Sequence, residues 1–219
     1  AKTDAIDASM IRHYGERLRP PPDPAPCEGH TRFTELVRAR QELVALITDE
    51  TNRREHMVLP ALLKLSKARQ KQLEKQLAQL DRLIDEHIAA DTALQAKADR
   101  LQQVDGVGRV TAFSVLALLP ELGSLRDAEA SALAGVAPLN HDSGQYRGQR
   151  HIHGGRAAVR KVLYMAALAA SIHNPILKAF YQRLRSHNKP AKLALTAVMR
   201  KLVILLNRLL KNPNFCLVQ

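Results

Sequence analysis

The stretch A191-K-L-A-L-T-A-V-M-R-K-L-V-I-L-L-N-R-L-L-K211 carries apolar residues around much of a helical circumference and no acidic residue. A helix that is apolar on nearly all sides has to be buried, so this one is expected to form the core of the C-terminal domain. The helices that would pack on it are read just upstream, near 155–173 and 175–186, with the final helix spanning about 190–211. Pro175 and Pro190 fit first-turn positions, where the missing N–H costs nothing.

Composition agrees with a mainly α fold. Of 219 residues, 46% are hydrophobic, enough to fill a core, while only 4% are aromatic and none is Trp. Ala, Leu, Arg, Lys and Gln dominate, which favours helix over sheet. Charge is divided unevenly. Residues 143–219 hold 14 Lys and Arg and no Asp or Glu, whereas residues 1–142 hold 19 basic and 21 acidic residues. The excess of +12 therefore lies wholly in the last third, and a one-signed domain of this kind points to a polyanion, most often nucleic acid.

Upstream, D105-G-V-G108 follows a short helix end and precedes a helix with Val110, Phe113, Val115 and Leu116 turned inward. Gly106 and Gly108 suit a tight turn with positive φ, and the helix they introduce presents free N–H groups that can hold a phosphate without reading sequence. The plainer reading is a helix–helix turn. The backbone-binding set read here is Gly106, Gly108, Arg109, Arg160 and Lys161.

Further upstream, a helix is expected over about 31–56, with Phe33, Leu36, Val37, Leu43, Val44 and Ile47 on its buried face and Pro60 ending or interrupting it. From about 61 to 99, Leu73, Leu77, Leu80, Ile84, His87, Asp91 and Leu94 alternate by four and three, a coiled-coil-like seam with two polar interruptions. Two such helices can pair as an antiparallel hairpin or can each pair with a second subunit. The domain reading is 1–18, a proline-rich linker at 19–26, a long-helix region at 27–100 and a basic helical domain at 101–219. At the start, Thr3 is a plausible N-cap for a helix carrying Ile6, Met10, Ile11, Tyr14 and Leu18.

Cys27 and Cys216 lack metal-ligand spacing, and no apolar run is long enough for a membrane span, so a cytoplasmic, nucleoid-associated protein is expected. Asp4 and Asp7 are three apart on the first helix and could share one Mg²⁺, although acids in a first turn also stabilise a helix through its dipole. S131-A-L-A-G-V-A-P-L139 reads as a short helix capped by Gly135 and stopped at Pro138.

Between it and the next helix lies N140-H-D-S-G-Q-Y-R-G-Q-R-H-I-H-G-G-R-A-A-V-R-K161. Asp, Ser and Gly are common turn formers, and Ser143 has no neighbours spelling a hydrolase triad. A serine attacking a phosphodiester, however, needs cations on the non-bridging oxygens more than a protein base, and Arg147, Arg150 and Arg156 could supply them. The residues alone leave both readings open. His141, His151 and His153 suit phosphate contact or plain solvation better than metal ligation.

Three separated stretches carry a family resemblance: A1-K-T-D-A-I-D-A8, V104-D-G-V-G-R-V-T-A-F-S-V-L-A117, and the segment from Leu133 to Ala167 that contains G-V-A-P, S-G and H-G-G-R-x-x-V-R-K. Together they resemble the DEDD insertion-sequence transposases, the bridge-RNA-guided recombinases related to the Piv invertases. The resemblance implies a RuvC-like acidic motif, a helix–hairpin–helix and a C-terminal transposase domain, in that order.

It also implies roles. Ser143 would attack DNA and form a phosphoserine intermediate. Asp4 and Asp7 would be the last acids of a Mg²⁺ site. The long helices would join subunits as a dimer or tetramer, and a structured noncoding guide RNA would select the DNA. Because the family's first Asp and its Glu precede the KTDAIDA motif, the chain is expected to be a recombinase fragment without strand-transfer activity on its own. The rival reading is a non-catalytic helix–hairpin–helix nucleic-acid-binding or architectural protein.

Overall fold

The computed structural model describes residues 4–19, 27–139, 142–143, 146–148 and 150–215. Thr3, most of the 19–26 connector, His141 and Cys216 lie outside them. The fold is mainly α. The chain divides into two compact units, Ala1–Thr31 and Arg32–Gln219.

In the first unit α1 (Asp4–Leu18) places Asp4 and Asp7 in its first turn and buries no residue. Helix α2 (Glu28–Arg54) begins there and continues into the second unit, where it pairs with α3 (Pro60–Ala90). Pro60 opens α3 at its first turn, where proline is tolerated, so it starts a helix and interrupts none.

The pairing of α2 and α3 is an antiparallel hairpin within one chain. As numbers rise along α2 they fall along α3: Phe33 stacks on His87 with ring centroids 5.3 Å apart, Arg40 Nε reaches Asp81 at 2.7 Å, and Arg69 Nε lies 3.3 Å from Glu50. Arg54 also donates to Gln70. The Ile84 position of the expected seam is fully buried, and Leu73, Leu77 and Leu80 are half-buried.

The seam does not run on to Leu94 as one helix. The chain breaks at Asp91, whose carboxylate accepts hydrogen bonds from Ala93 N at 2.9 Å and Leu94 N at 3.0 Å and caps α4 (Thr92–Gln102). An aspartate that bonds the two amides ahead of it satisfies orphan N–H groups of a new helix, and the old one has to end.

The remaining helices are α5 (Arg109–Leu118), α6 (Asp127–Leu133), α7 (Ala157–His173), α8 (Pro175–Ser186) and α9 (Ala191–Lys211). Helix α7 packs on α5, α8 and α9, while α9 also meets α4 and α6. Val198, Leu202, Val203 and Leu206 of α9 are fully buried in a cluster that includes Leu163, Phe113 and Val115. Asn174 caps α8, accepting from Leu177 N at 3.0 Å, and Pro175 sits in the first turn as expected; Pro190 stands one residue earlier than expected, as the N-cap of α9. The short helix expected at 131–139 lies earlier in the chain, as α6.

Among the described residues one amide side chain is buried completely in this core. Asn207 of α9 accepts from Gly123 N and donates from Nδ2 to Leu125 O, both at 2.8 Å, and so ties the α5–α6 connector to the central helix. An amide that satisfies two backbone groups at once escapes the desolvation cost of burial.

Candidate catalytic loop and its anchorage

The segment between α6 and α7 contains four two-residue strands among its described residues: β1 (Pro138–Leu139), β2 (Asp142–Ser143), β3 (Tyr146–Arg147) and β4 (His151–Ile152). β1 pairs antiparallel with β4, Pro138 opposite Ile152 and Leu139 opposite His151. β2 pairs with β3, Asp142 opposite Arg147 and Ser143 opposite Tyr146. The sequence suggests only a loop here, because strands of two residues leave no periodicity to read. Ser143 therefore sits on an inner hairpin, and the outer pair closes the base of the excursion.

That base is fixed by a contact between backbones. Gly135 and Gly155 have φ of +67° and +65°, and a Cβ on either would run into the other's turn. Only glycine meets both demands. Arg156 N donates to Leu133 O at 2.7 Å, and Arg160 donates to Gly154 O at 2.8 Å. The G-V-A-P and H-G-G-R motifs, about twenty residues apart in the chain, are thus two halves of one clamp.

Arg156, expected to neutralise an attacked phosphate, has other partners. Its guanidinium forks onto Glu121, with both N···O distances 2.6 Å, and also donates to Leu118 O at 3.0 Å. The Glu121 hydrogen bond raises the Arg156 pKa further above its ordinary value. A bidentate pair fixes orientation as well as distance, so Arg156 joins the loop's end to the α5–α6 connector. Arg150 is exposed.

The residues of the backbone-binding set divide in the same way. Gly106 has φ of +96°, but the backbone it approaches is that of Ala170 in α7, within the same chain. Gly108 has extended backbone, with φ of −83°, and is the N-cap of α5, in place of the expected positive φ. Arg109 Nε donates to Asp85 at 2.6 Å and its Nη2 to Asp81 O at 3.0 Å, which moors α5 to the hairpin. Arg40 and Arg109 both lie over the Phe113 ring, at 5.5 and 5.7 Å. Of this set, Lys161 alone is an exposed cation with no bonded partner among the described residues.

Asp4 and Asp7 stand on α1, in the other unit. Hard oxygen donors one turn apart suit Mg²⁺, which is commonly held by one or two carboxylates with phosphate and water completing the shell. Among the described residues no group of three or more His, Cys, Asp or Glu gathers to hold a metal ion. His151 and His153 are exposed. A cavity of about 1310 Å³ between α4, α8 and α9, lined by Arg100, Lys201, Ile204 and Phe215 among others, contains none of the residues nominated from sequence. Among the described residues no helix is long and apolar enough to cross a membrane.

Two signals went unread in the sequence. Asn207 is a lone amide in the apolar run V-I-L-L-N-R-L-L, which marks a buried polar tie. Glu121 follows Pro120 in the connector after the apolar α5, and no local pattern reveals its partner 35 residues away.

Comparison with known proteins follows the same map. Residues 98–182, from α4 through the loop and α7 into α8, match the family described as Transposase IS116/IS110/IS902 family. Over 206 residues, 92% of this chain, the sequence is 26% identical to the pilin gene-inverting protein of Moraxella lacunata, and it is as similar to the protein of that name from Moraxella bovis. The chain spans 64% of the length of these curated relatives.

Proposed function

We propose that the chain is part of a DNA recombinase or transposase in which Ser143 is the nucleophile. The observation that carries this reading is the match of residues 98–182 to a transposase family, since that match contains the whole clamped loop. The relatives' name, pilin gene-inverting protein, describes DNA inversion and points to the same class of reaction.

In the proposed step the Ser143 hydroxyl oxygen attacks a DNA phosphorus. A serine–phosphate ester forms, one phosphorus–oxygen bond to deoxyribose breaks, the serine proton passes to solvent or a base, and the departing sugar oxygen takes up a proton. Arg147 and Arg150 would neutralise the charge on the non-bridging oxygens. Arg156 and Arg160 hold the loop that presents the serine, and Gly106, Gly108 and Lys161 lie in the domain that receives the backbone through a helix–hairpin–helix. Asp4 and Asp7 would hold Mg²⁺, which supplies charge neutralisation at phosphate oxygens. The hypothesis extends to a noncoding guide RNA and to a homo-oligomer; exposed Val58, Leu59, Leu62 and Leu65 near the hairpin's closed end support the latter.

The test is a labelled DNA junction incubated with Mg²⁺, the element's RNA and the chain, alone and joined to an upstream RuvC-like acidic domain. A denaturation-resistant protein–DNA adduct is expected from the joined form, absent in its Ser143→Ala variant and present in its Gln145→Ala variant. Binding without any adduct, with equal behaviour of the two variants, would return the protein to the architectural class.

A further inference from the structure

Two groups stand out among the cations of the acid-free stretch. In the first, the guanidinium is tied to a carboxylate or into the clamp at the loop's base: Arg156 with Glu121, Arg208 with Asp127, and Arg160 with Gly154 O. In the second, Lys178, Arg183, Arg185, Lys189 and Lys192 stand exposed along α8, the α8–α9 turn and the first turn of α9, with no carboxylate in reach among the described residues.

The interactions of the second set hold charge in place without cancelling it. Arg183 lies 5.4 Å from the centroid of Phe180, and Lys201 Nζ lies 4.2 Å from the same centroid. Arg185 donates to Lys189 O at 2.6 Å, and the His187 ring bonds Arg183 O at 2.7 Å, which closes the turn between the helices. Lys178 and Arg185 share one side of α8 and Arg183 lies on another; like charges gathered around one helix and the turn after it repel each other, and a polyanion reverses the sign of that energy.

We propose that α8 and the start of α9 form a docking surface for the phosphate backbone of duplex DNA, built from residues other than those in the sequence motifs. The choice of DNA rests on the proposed recombinase function, but the surface does not require Ser143 to react. Duplex is the form that suits it. Phe180 is half-buried against the core and already carries two cations, so the surface acts by charge more than by stacking, and duplex DNA presents about one charge per 1.7 Å of axis.

The experiment measures affinity of the full chain for a 30-base-pair duplex of unrelated sequence across a salt series. In R183Q/R185Q/K192Q the slope of log affinity against log salt is expected to flatten by about three, one for each phosphate no longer neutralised. The control K64Q/K67Q/K71Q removes equal charge from exposed positions of α3 and should leave the slope near its original value. R183K/R185K keeps the charge and should keep the slope, with thermal melts confirming that each variant is folded.

Three results would overturn the proposal: equal flattening in the α3 control, an unchanged slope in R183Q/R185Q/K192Q, or tighter binding of a single-stranded RNA or DNA of the same length. Covalent adducts are scored separately with Ser143→Ala. Failure of the adduct reading therefore leaves this surface standing, and failure of the surface leaves the adduct reading intact.

Discussion

The α2–α3 hairpin and the α5–α7–α9 core are both helical, yet they are held together by opposite means. Along the hairpin, polar ties recur at intervals, from Arg40 and Asp81 through Glu50 and Arg69 to Arg54 and Gln70, with one face left to water. In the core, apolar side chains pack around α9 except on the face that carries Arg200, Lys201, Arg208 and Lys211, and the amide buried among them, Asn207, is satisfied on both of its polar atoms. Ties that reach the surface, such as Arg54 with Gln70, can be removed one at a time, because water replaces the partner; the buried Glu50 is the hairpin's exception. A buried tie cannot, because nothing replaces it.

The sharpest way to break that contrast is Asn207→Leu. It orphans the Gly123 N–H and leaves the Leu125 carbonyl only the longer bond from Lys211 Nζ at 3.4 Å, and a destabilisation of about 2–3 kcal/mol is expected in chemical denaturation. Arg54→Ala in the hairpin should cost about 1 kcal/mol in the same assay. Similar costs for the two would mean that the regions are held alike.

Next in size is the Arg156–Glu121 fork. Glu121→Arg or Arg156→Glu alone should loosen the loop base and lower the yield of the Ser143 adduct, whereas the double exchange should recover most of both. A phosphate-contacting Arg156 predicts the reverse, with the double exchange as inactive as Arg156→Glu, since a carboxylate cannot receive a phosphate.

The smallest effect concerns acid. The Arg208 hydrogen bond holds the Asp127 carboxyl below its ordinary range. A carboxyl whose pKa is lowered by folding adds stability above its unfolded value and loses it as pH falls through the folded one. The α6–α9 tie should therefore weaken only below the ordinary carboxylate range, by well under about 1 kcal/mol at so exposed a site. Asp127→Asn should remove that part of the acid dependence of the melting temperature and little else.

Much of the helical frame is legible in the chain, because its signals are local. The apolar circumference of 191–211, Pro175 in the first turn of α8 and the four-and-three seam through Ile84 are each confined to a few turns of one element. The break at Asp91 escaped because the heptad count continues across it, although aspartate before Thr-Ala-Leu is itself a capping signal.

Partnerships at long range were not legible. Arg156 looks like a phosphate ligand when its neighbours are Gly, His and Arg, and like a mooring once Glu121 is brought beside it by the packing of α5 on α7. For the same reason the cations of α8 and of the first turn of α9, which belong to no motif, stand without acidic partners among the described residues, whereas Arg208 further along α9 has Asp127.

The two glycines at the base of the loop have a further consequence. Because Gly135 and Gly155 meet backbone to backbone, the chain returns almost to the point it left, and the Pro138–Ile152 pairing closes it there. What lies between is mechanically a cassette. It can be lengthened, shortened or exchanged with no shift of a helix axis, and since closure entropy grows slowly with length, at little thermodynamic penalty. Variety in this loop among otherwise similar chains is a freedom that those two missing side chains provide.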